Sequence, residues 1–442
     1  MTDPARRRRL LVLAICCSSL FMVGLDVTIV NIALPSLRTD LDAPISGLQW
    51  VIDAYTLVVA GLLILGGSLA DRFGRRRIFQ TGLALFTTGS LLCGVAPSLG
   101  WLIAFRALQA IGGSMLNPVA MSIITNTFTD RAERARAIGV WGGVVGLSMA
   151  AGPVIGGLLV ASFGWRSIFW INVPVGIAAI VLVLLFVPPS RASVVRRFDP
   201  VGQVLVLALL ASLTFALIEG VPLASVVSVL ALGGLVRHSL KRQDPLLDVR
   251  LFRRPPLAGA TLIAVLAFAA LGGFLFLTTI YLQDVRGYSA LHAGLYLLPM
   301  AAMTVLCAPL SGRLVAARGA RPPLVVAGVF IGLSALLLTR LTTGSPPALL
   351  IVAFVLFGIG FGFVNSPITN TAVSGLPVSQ AGVAAAIAST SRNTGNALGV
   401  AVLGAALSSV AWWTIAGIGV AIVALGVAST RAAQDQHVSS IA

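Results

Sequence analysis

Fourteen runs of about 20 apolar residues, joined by short connections, constrain this chain more than any other feature. They lie at about 10–34, 47–69, 78–97, 100–126, 136–162, 167–187, 200–219, 222–240, 257–282, 290–312, 322–340, 347–369, 381–408 and 411–430, with ends good to a few residues. Each is long enough to cross a bilayer. Of the 442 residues, 57% are hydrophobic and 10% charged, against about 25% charged in a soluble domain. No soluble fold of that length hides so much apolar surface. The runs are long and do not alternate, so a β-barrel is excluded and an all-α integral membrane protein follows.

The net charge of +16 invites a nucleic-acid reading, and its placement argues against one. The arginines sit in short clusters between apolar runs, without a basic domain or interleaved aromatics. They report orientation and contact with anionic membrane lipids instead. With the N-terminus inside, every arginine cluster falls on the inner side. Only Arg38, Arg166, Arg286 and Arg340 lie in outer loops. Both termini are therefore expected in the cytoplasm. Trp50, Trp101, Trp165, Trp170, Trp412 and Trp413 then form an outer aromatic belt. Arg6–Arg9 and the run after them are read as an uncleaved first helix, because no clean small-residue cleavage site interrupts it. One lysine, Lys241, stands against 29 arginines, a bias that fits a GC-rich bacterial genome. Cys16, Cys17, Cys93 and Cys307 lie inside apolar runs and read as packing residues. The three scattered histidines offer no metal site.

The connection Gly67-Ser-Leu-Ala-Asp71-Arg72-Phe-Gly74-Arg75-Arg76-Arg77 is a tight basic hinge between two spans. Gly74 permits the reversal. Asp71 suits the positive end of a helix dipole, and Arg72, Arg75 and Arg76 suit acids or lipid phosphates. The hinge recurs: Gly67-x-Leu69-x-x-x-x-Gly74-x-Arg76 reappears as Gly312-x-Leu314-x-x-x-x-Gly319-x-Arg321, 245 residues later. Gly113-x-x-x-Asn117-Pro118 is echoed by Gly360-x-Gly362-x-x-Asn365-x-Pro367. Two six-helix bundles related by duplication fit this, at 1–190 and 246–442. The surplus, 191–245, holds two inserted helices.

In order along the chain, the motifs resemble those of the major facilitator superfamily, and within it the 14-helix drug:proton antiporters. The resemblance covers nearly the whole chain. Leu25-Asp26-Val-Thr-Ile-Val-Asn31-Ile-Ala-Leu-Pro35 is similar to the helix 1 signature of that class, and Gln49-Trp50-Val-Ile-Asp53-Ala-Tyr55 to its helix 2 start. Gly67–Arg77 resembles the loop 2–3 motif. Arg106-Ala-Leu-Gln109-Ala110-Ile-Gly-Gly113 resembles the helix 4 motif, with Ala110 where glycine is usual. Gly143 through Gly152-Pro153-x-x-Gly156-Gly157 resembles the antiporter motif of helix 5. Trp165–Gly176 and Tyr281–Ser289 fit the same class. The second hinge departs, with Ala316 where the first has Asp71. Spans 10 and 13 carry no acid, unlike relatives that export dications.

Four charges lie clearly within spans: Asp26, Asp53, Arg106 and Arg392. Each costs about 2.5–3.5 kcal/mol to insert, so each is a functional candidate. Counting at ~1.5 Å per residue puts Asp26, Asp53 and Arg106 at a common depth, roughly 9–14 Å below the outer face. A carboxylate–arginine cluster is expected there, with Asp26 as first proton site, Asp53 as second and Arg106 biasing both. The competing reading is a static ion pair that holds three helices together. Arg106, Gln109, Gly113 and Asn117 form one stripe on helix 4, read either as cavity lining or as interhelical bonding. Asn365 and Arg392 give helices 12 and 13 similar faces. Arg392 is read either as holding an anionic or hydrogen-bonding substrate group or as pairing with helix carbonyls. Phe361 and Phe363 are expected on the substrate wall. The small residues Gly152, Pro153, Gly156 and Gly157 allow close helix approach. The resemblance implies that they seal and bend a bundle interface, and that Asp71, Arg72 and Arg75 latch the outward-facing state.

The resemblance implies a monomeric bacterial plasma-membrane exporter that expels amphiphilic drugs by alternating access. It would draw on the proton gradient and use no cofactor. Transport of one endogenous natural product is the alternative. An ATP-driven pump or membrane enzyme is disfavoured, since no G-x-x-x-x-G-K-[ST] loop surrounds Lys241.

Overall fold

A computed structural model describes residues 4–191, 199–243, 245–374, 381–405 and 409–439. They form helices connected by short turns. In chain order these are α1 (Pro4–Asp40), α2 (Ile45–Phe73), α3 (Arg75–Gly94), α4 (Leu99–Thr127), α5 (Arg131–Phe163), α6 (Ser167–Trp170), α7 (Asn172–Phe186), α8 (Pro200–Glu219) and α9 (Pro222–Lys241), followed by α10 (Pro255–Ile280), α11 (Ala290–Tyr296), α12 (Leu298–Arg318), α13 (Arg321–Leu338), α14 (Pro347–Gly362), α15 (Asn365–Ser374), α16 (Ala381–Ala405) and α17 (Ser409–Ser439). Twelve spans among the described residues are long and apolar enough to cross a membrane. α3 and α16 fall short of that measure. α3 opens on three arginines, and the middle of α16 is the polar stretch Ser389–Asn396.

Three of the spans expected to be continuous are broken, at Ile171, Leu297 and Phe363–Val364. Each break precedes a proline by two to four residues: Pro174, Pro299 and Pro367. A proline has no N–H to donate and its ring crowds the carbonyl four residues back, so the preceding turn opens. Pro35, Pro118, Pro153 and Pro309 are instead carried inside unbroken helices.

The chain divides into two compact units. Unit 1 comprises Met1–Gln203 with Ser289–Leu295, and unit 2 comprises Val204–Tyr288 with Tyr296–Ala442. In unit 1, α3 lies along α4, α2 along α4, and α1 along α5. In unit 2, α10 lies along α16 and α13 along α17. The repeated hinge turns on a positive-φ glycine in both, with ψ of 132° at Gly74 and −175° at Gly319. Gly74 (φ +102°) donates its N–H to the Ala70 carbonyl, and Gly319 (φ +79°) donates to that of Val315. At positive φ a side chain is strained, so glycine at both positions follows from the geometry. Gly67 faces Pro118 of α4, while its counterpart Gly312 faces Ser366 of α15.

Two arginines that sequence counting leaves outside are built into loop clasps. Arg166 meets Asp40 at 2.6 Å, beside Trp165, which donates to the same carboxylate at 2.9 Å. In unit 2, Arg286 donates to the carbonyls of Thr343 (2.8 Å) and Ser345 (2.7 Å) and to the Tyr288 hydroxyl. The bond from Arg286 draws the Tyr288 phenol below its usual range.

Candidate functional site

Unit 1 holds a buried polar network centred on Asp26 and Arg106, which are 0% and 1% exposed. The Arg106 Nη1 meets Asp26 Oδ2 at 2.5 Å and Gln109 Oε1 at 2.7 Å, and its Nε donates to the Val51 carbonyl at 3.1 Å. Asp26 Oδ1 accepts from Gln109 Nε2 (2.8 Å) and Asn172 Nδ2 (3.2 Å). Ser90 closes the far side. It accepts from Gln109 and Asn172 and donates to the Phe169 carbonyl at 2.8 Å. The guanidinium lies over the rings of Tyr55 (4.3 Å) and Phe169 (5.8 Å). A buried charge pair is stable only when its remaining lone pairs and protons find partners, and three donors on the carboxylate meet that demand. Five helices contribute: α1, α2, α3, α4 and α7, with the carbonyl of α6.

Asp53 stands apart. It is fully buried and forms no ion pair among the described residues. Its Oδ1 accepts a 3.4 Å bond from Thr56, and its Oδ2 has no partner. The reason is azimuthal. Val51 and Tyr55, four residues apart, share the face of α2 that meets Arg106. Asp53, midway between them, points about 200° away at 100° per residue. The expected three-member cluster is thus a pair with polar neighbours and one separate acid.

Along the α4 stripe, Gln109 belongs to the network, and Gly113 lies under the Tyr55 hydroxyl, which has no partner. Both face helix packing rather than open space in this conformation. Asn117 is half-buried, with Oδ1 unpartnered. In α5, Gly152 and Gly156 abut Thr28 and Ile29 of α1. Gly157 abuts Ala290 and Leu291, and the Pro153 carbonyl abuts Gly294. A Cβ at any of these four glycines would collide with backbone or a branched side chain, so close approach is their role. At the hinge, Asp71 pairs with Arg75 (3.5 Å), whose N–H donates to the Ser190 carbonyl. Arg72 lies over Phe73, and Arg76 donates to the Leu184 carbonyl at 2.6 Å. A hollow of about 460 Å³ is lined by Gly74, Arg76, Arg77 and Arg191.

Unit 2 carries Arg392 on α16. Its Nη2 donates to the Thr369 hydroxyl at 2.7 Å, and its Nε is buried with no partner. Its guanidinium lies 6.0 Å from the Phe268 ring, which packs edge-on against Phe361 at 5.2 Å. Phe361 is fully buried, so Phe268 rather than Phe361 is the accessible ring of this group. Asn365 opens α15, one turn before Thr369, whose hydroxyl donates to its carbonyl.

The sequence motifs omit Ser90, Thr369 and Phe268, and they include Asn172 only as part of the Trp165–Gly176 stretch, with no role given to it. Asn172 carries a readable signal, as an amide inside an apolar run. The others are too common in membrane helices to stand out.

The Major Facilitator Superfamily profile matches residues 16–400. The chain is 37% identical over 412 residues to the multidrug resistance protein Stp of Mycobacterium tuberculosis, covering 91% of this chain and 76% of that one. It is 38% identical over 401 residues to the tetracenomycin C resistance and export protein of Streptomyces glaucescens, covering 88% and 74%. The methylenomycin A resistance protein of Streptomyces coelicolor is 32% identical over 417 residues, covering 92% and 87%.

Proposed function

The chain belongs to the major facilitator superfamily, and from that premise we propose that it is a proton-coupled exporter of amphiphilic drugs or antibiotics. Relatives named for multidrug resistance and for tetracenomycin C export support the direction and the cargo class. We take the span count as 14. α3 and α16, 20 and 25 residues long, are each about 30 Å or more at 1.5 Å per residue. Each lies along a span that is apolar enough to cross, α4 and α10. An even count places both termini on one side, the cytoplasmic side by the arginine distribution.

The observation that carries proton coupling is the contrast between the two buried acids. Asp26 has its charge met by Arg106 and its oxygens met by amides. Asp53 has no cation and one empty acceptor. A proton is the partner that Asp53 lacks. We therefore place the carried proton on Asp53 in this conformation. Asp26 is the site that becomes available when a helix movement draws Arg106 away. The glycine contacts of α5 with α1 and with residues 290–294 are the close-packed seam such a movement would open. The hollow at Arg76, Arg77 and Arg191 suits a lipid phosphate and would hold the hinge at the membrane surface. The protein acts as a monomer and needs no cofactor beyond the proton gradient.

The test is proton movement in proteoliposomes on addition of lipophilic drugs, for wild type, Asp53→Asn and Asp26→Asn. Drug-dependent proton release that both substitutions abolish supports the proposal. Release that persists in both variants, or is absent from wild type with every compound, sinks it.

A further inference from the structure

We infer that Arg392 is the anchor for an anionic or acceptor-rich group on a planar aromatic substrate, and that the exporter selects such compounds over lipophilic cations. The inference rests on the exporter reading and adds the chemical class of the cargo.

The charge of Arg392 is unmet within helices α10 to α16. α10 to α16 contain no Asp or Glu, so no carboxylate within those helices can neutralise Arg392. A guanidinium carries five N–H donors. Among the described residues one of them is used, and it goes to a hydroxyl, not a carbonyl or a carboxylate. Nε is buried with no partner. Leaving a buried donor empty costs free energy, and more so on a charged group. Pairing with the carbonyls at a helix end, the competing role, is not what the geometry shows.

The surroundings point to what fills the gap. Ser389, Thr390, Ser391, Asn393, Thr394 and Asn396 flank Arg392 on α16. Such a stretch within a membrane helix faces protein or water, not lipid. One side is taken by protein: Gly395 and Gly399 press against the Val265 and Ala269 carbonyls of α10. Arg392 and Phe268 remain half-buried, and Thr369 is exposed, so this edge is open. Behind Phe268 runs a chain of rings, with Phe361 at 5.2 Å, then Phe357 stacked on Phe361 at 6.3 Å, and Phe274 on Phe357 at 3.9 Å. Those three rings are fully buried, so the half-buried Phe268 is the aromatic wall left open to a substrate, and beside a guanidinium without a counter-ion it accepts a flat ring system that bears a carboxylate, phenolate, enolate or quinone oxygen. A cationic ring would meet the same wall and be repelled by the charge beside it. Bidentate pairing of Arg with an oxyanion supplies the discrimination.

Fluorescein and rhodamine 123 share a xanthene ring and carry opposite charge near neutral pH, so they isolate the charge preference. Binding to the full chain in lipid nanodiscs is read by fluorescence anisotropy, for wild type, Arg392→Gln and Arg392→Lys. Wild type should bind fluorescein at least about tenfold more tightly than rhodamine 123. Arg392→Gln should erase that ratio, and Arg392→Lys should keep part of it. Equal or stronger binding of rhodamine 123 to wild type overturns the proposal, as does an unchanged ratio in a folded Arg392→Gln protein. The wild-type ratio needs no variant, so the proposal stays open to refutation if the substitution prevents folding. Binding in nanodiscs needs no gradient. Rhodamine-driven proton release without fluorescein preference would remove this inference and leave the exporter standing. Fluorescein preference without drug-dependent proton movement would do the reverse.

Discussion

The two membrane-embedded arginines occupy opposite situations. Arg106 is closed in, with a carboxylate, an amide oxygen, a backbone carbonyl and two aromatic rings around it. Arg392 has one hydroxyl, one ring beneath it and an empty Nε. A buried charge met by a counter-charge holds its own structure together, whereas one without a counter-charge has capacity left for something that arrives later. One chain thus places a charge-matched polar network in one unit and an open polar edge in the other.

That difference predicts unequal costs of truncation. Arg106→Ala strands the Asp26 carboxylate among amides and should lower stability by about 3–5 kcal/mol. Arg392→Ala strands no partner charge, loses one hydrogen bond, and should cost about 1 kcal/mol or less. Thermal unfolding in detergent reads both, and equal losses would break the comparison. The two acids should differ next. Asp26→Asn leaves Arg106 without its counter-ion and should cost roughly 3 kcal/mol, while Asp53→Asn replaces a neutral carboxyl by an amide and should cost under about 1 kcal/mol. A larger loss for Asp53→Asn would mean that Asp53 is ionised and paired in the working protein. The hinges should behave alike, since Gly74 and Gly319 share positive φ. Alanine at either should destabilise by roughly 1–2 kcal/mol, and a marked asymmetry would show that the two turns have diverged in more than sequence. The smallest effect is expected at the outer clasps. Arg166→Ala and Arg286→Ala should each cost about 1 kcal/mol or less, the scale of exposed ion pairs and hydrogen bonds.

How much of this was legible beforehand follows a simple division. Depth can be read by counting residues, and counting placed Asp26 and Arg106 at one level, where they meet. Azimuth depends on how each helix rolls against its neighbours. Depth alone puts Asp53 in the same cluster, and it faces away because Val51 and Tyr55 hold the Arg106 side of α2. The hinge and its repeat were readable because a positive-φ turn demands glycine. The helix breaks were less so: prolines at 174, 299 and 367 interrupt spans, while those at 118 and 153 do not. Whether a proline opens a helix depends on neighbours that cover the freed carbonyl, and sequence does not name them. The same holds for Ser90 and Thr369, small hydroxyl residues that matter only through what packs beside them.

The most direct measurement pairs thermal stability with dye binding on the same nanodisc preparations of Arg106→Gln and Arg392→Gln. A crossed result is expected. Arg106→Gln should melt well below wild type yet keep its preference for fluorescein over rhodamine 123 while folded. Arg392→Gln should melt near wild type and lose that preference. Loss of stability in Arg392→Gln with the preference intact, or loss of the preference in a folded Arg106→Gln protein, would contradict the assignment of one arginine to structure and the other to cargo.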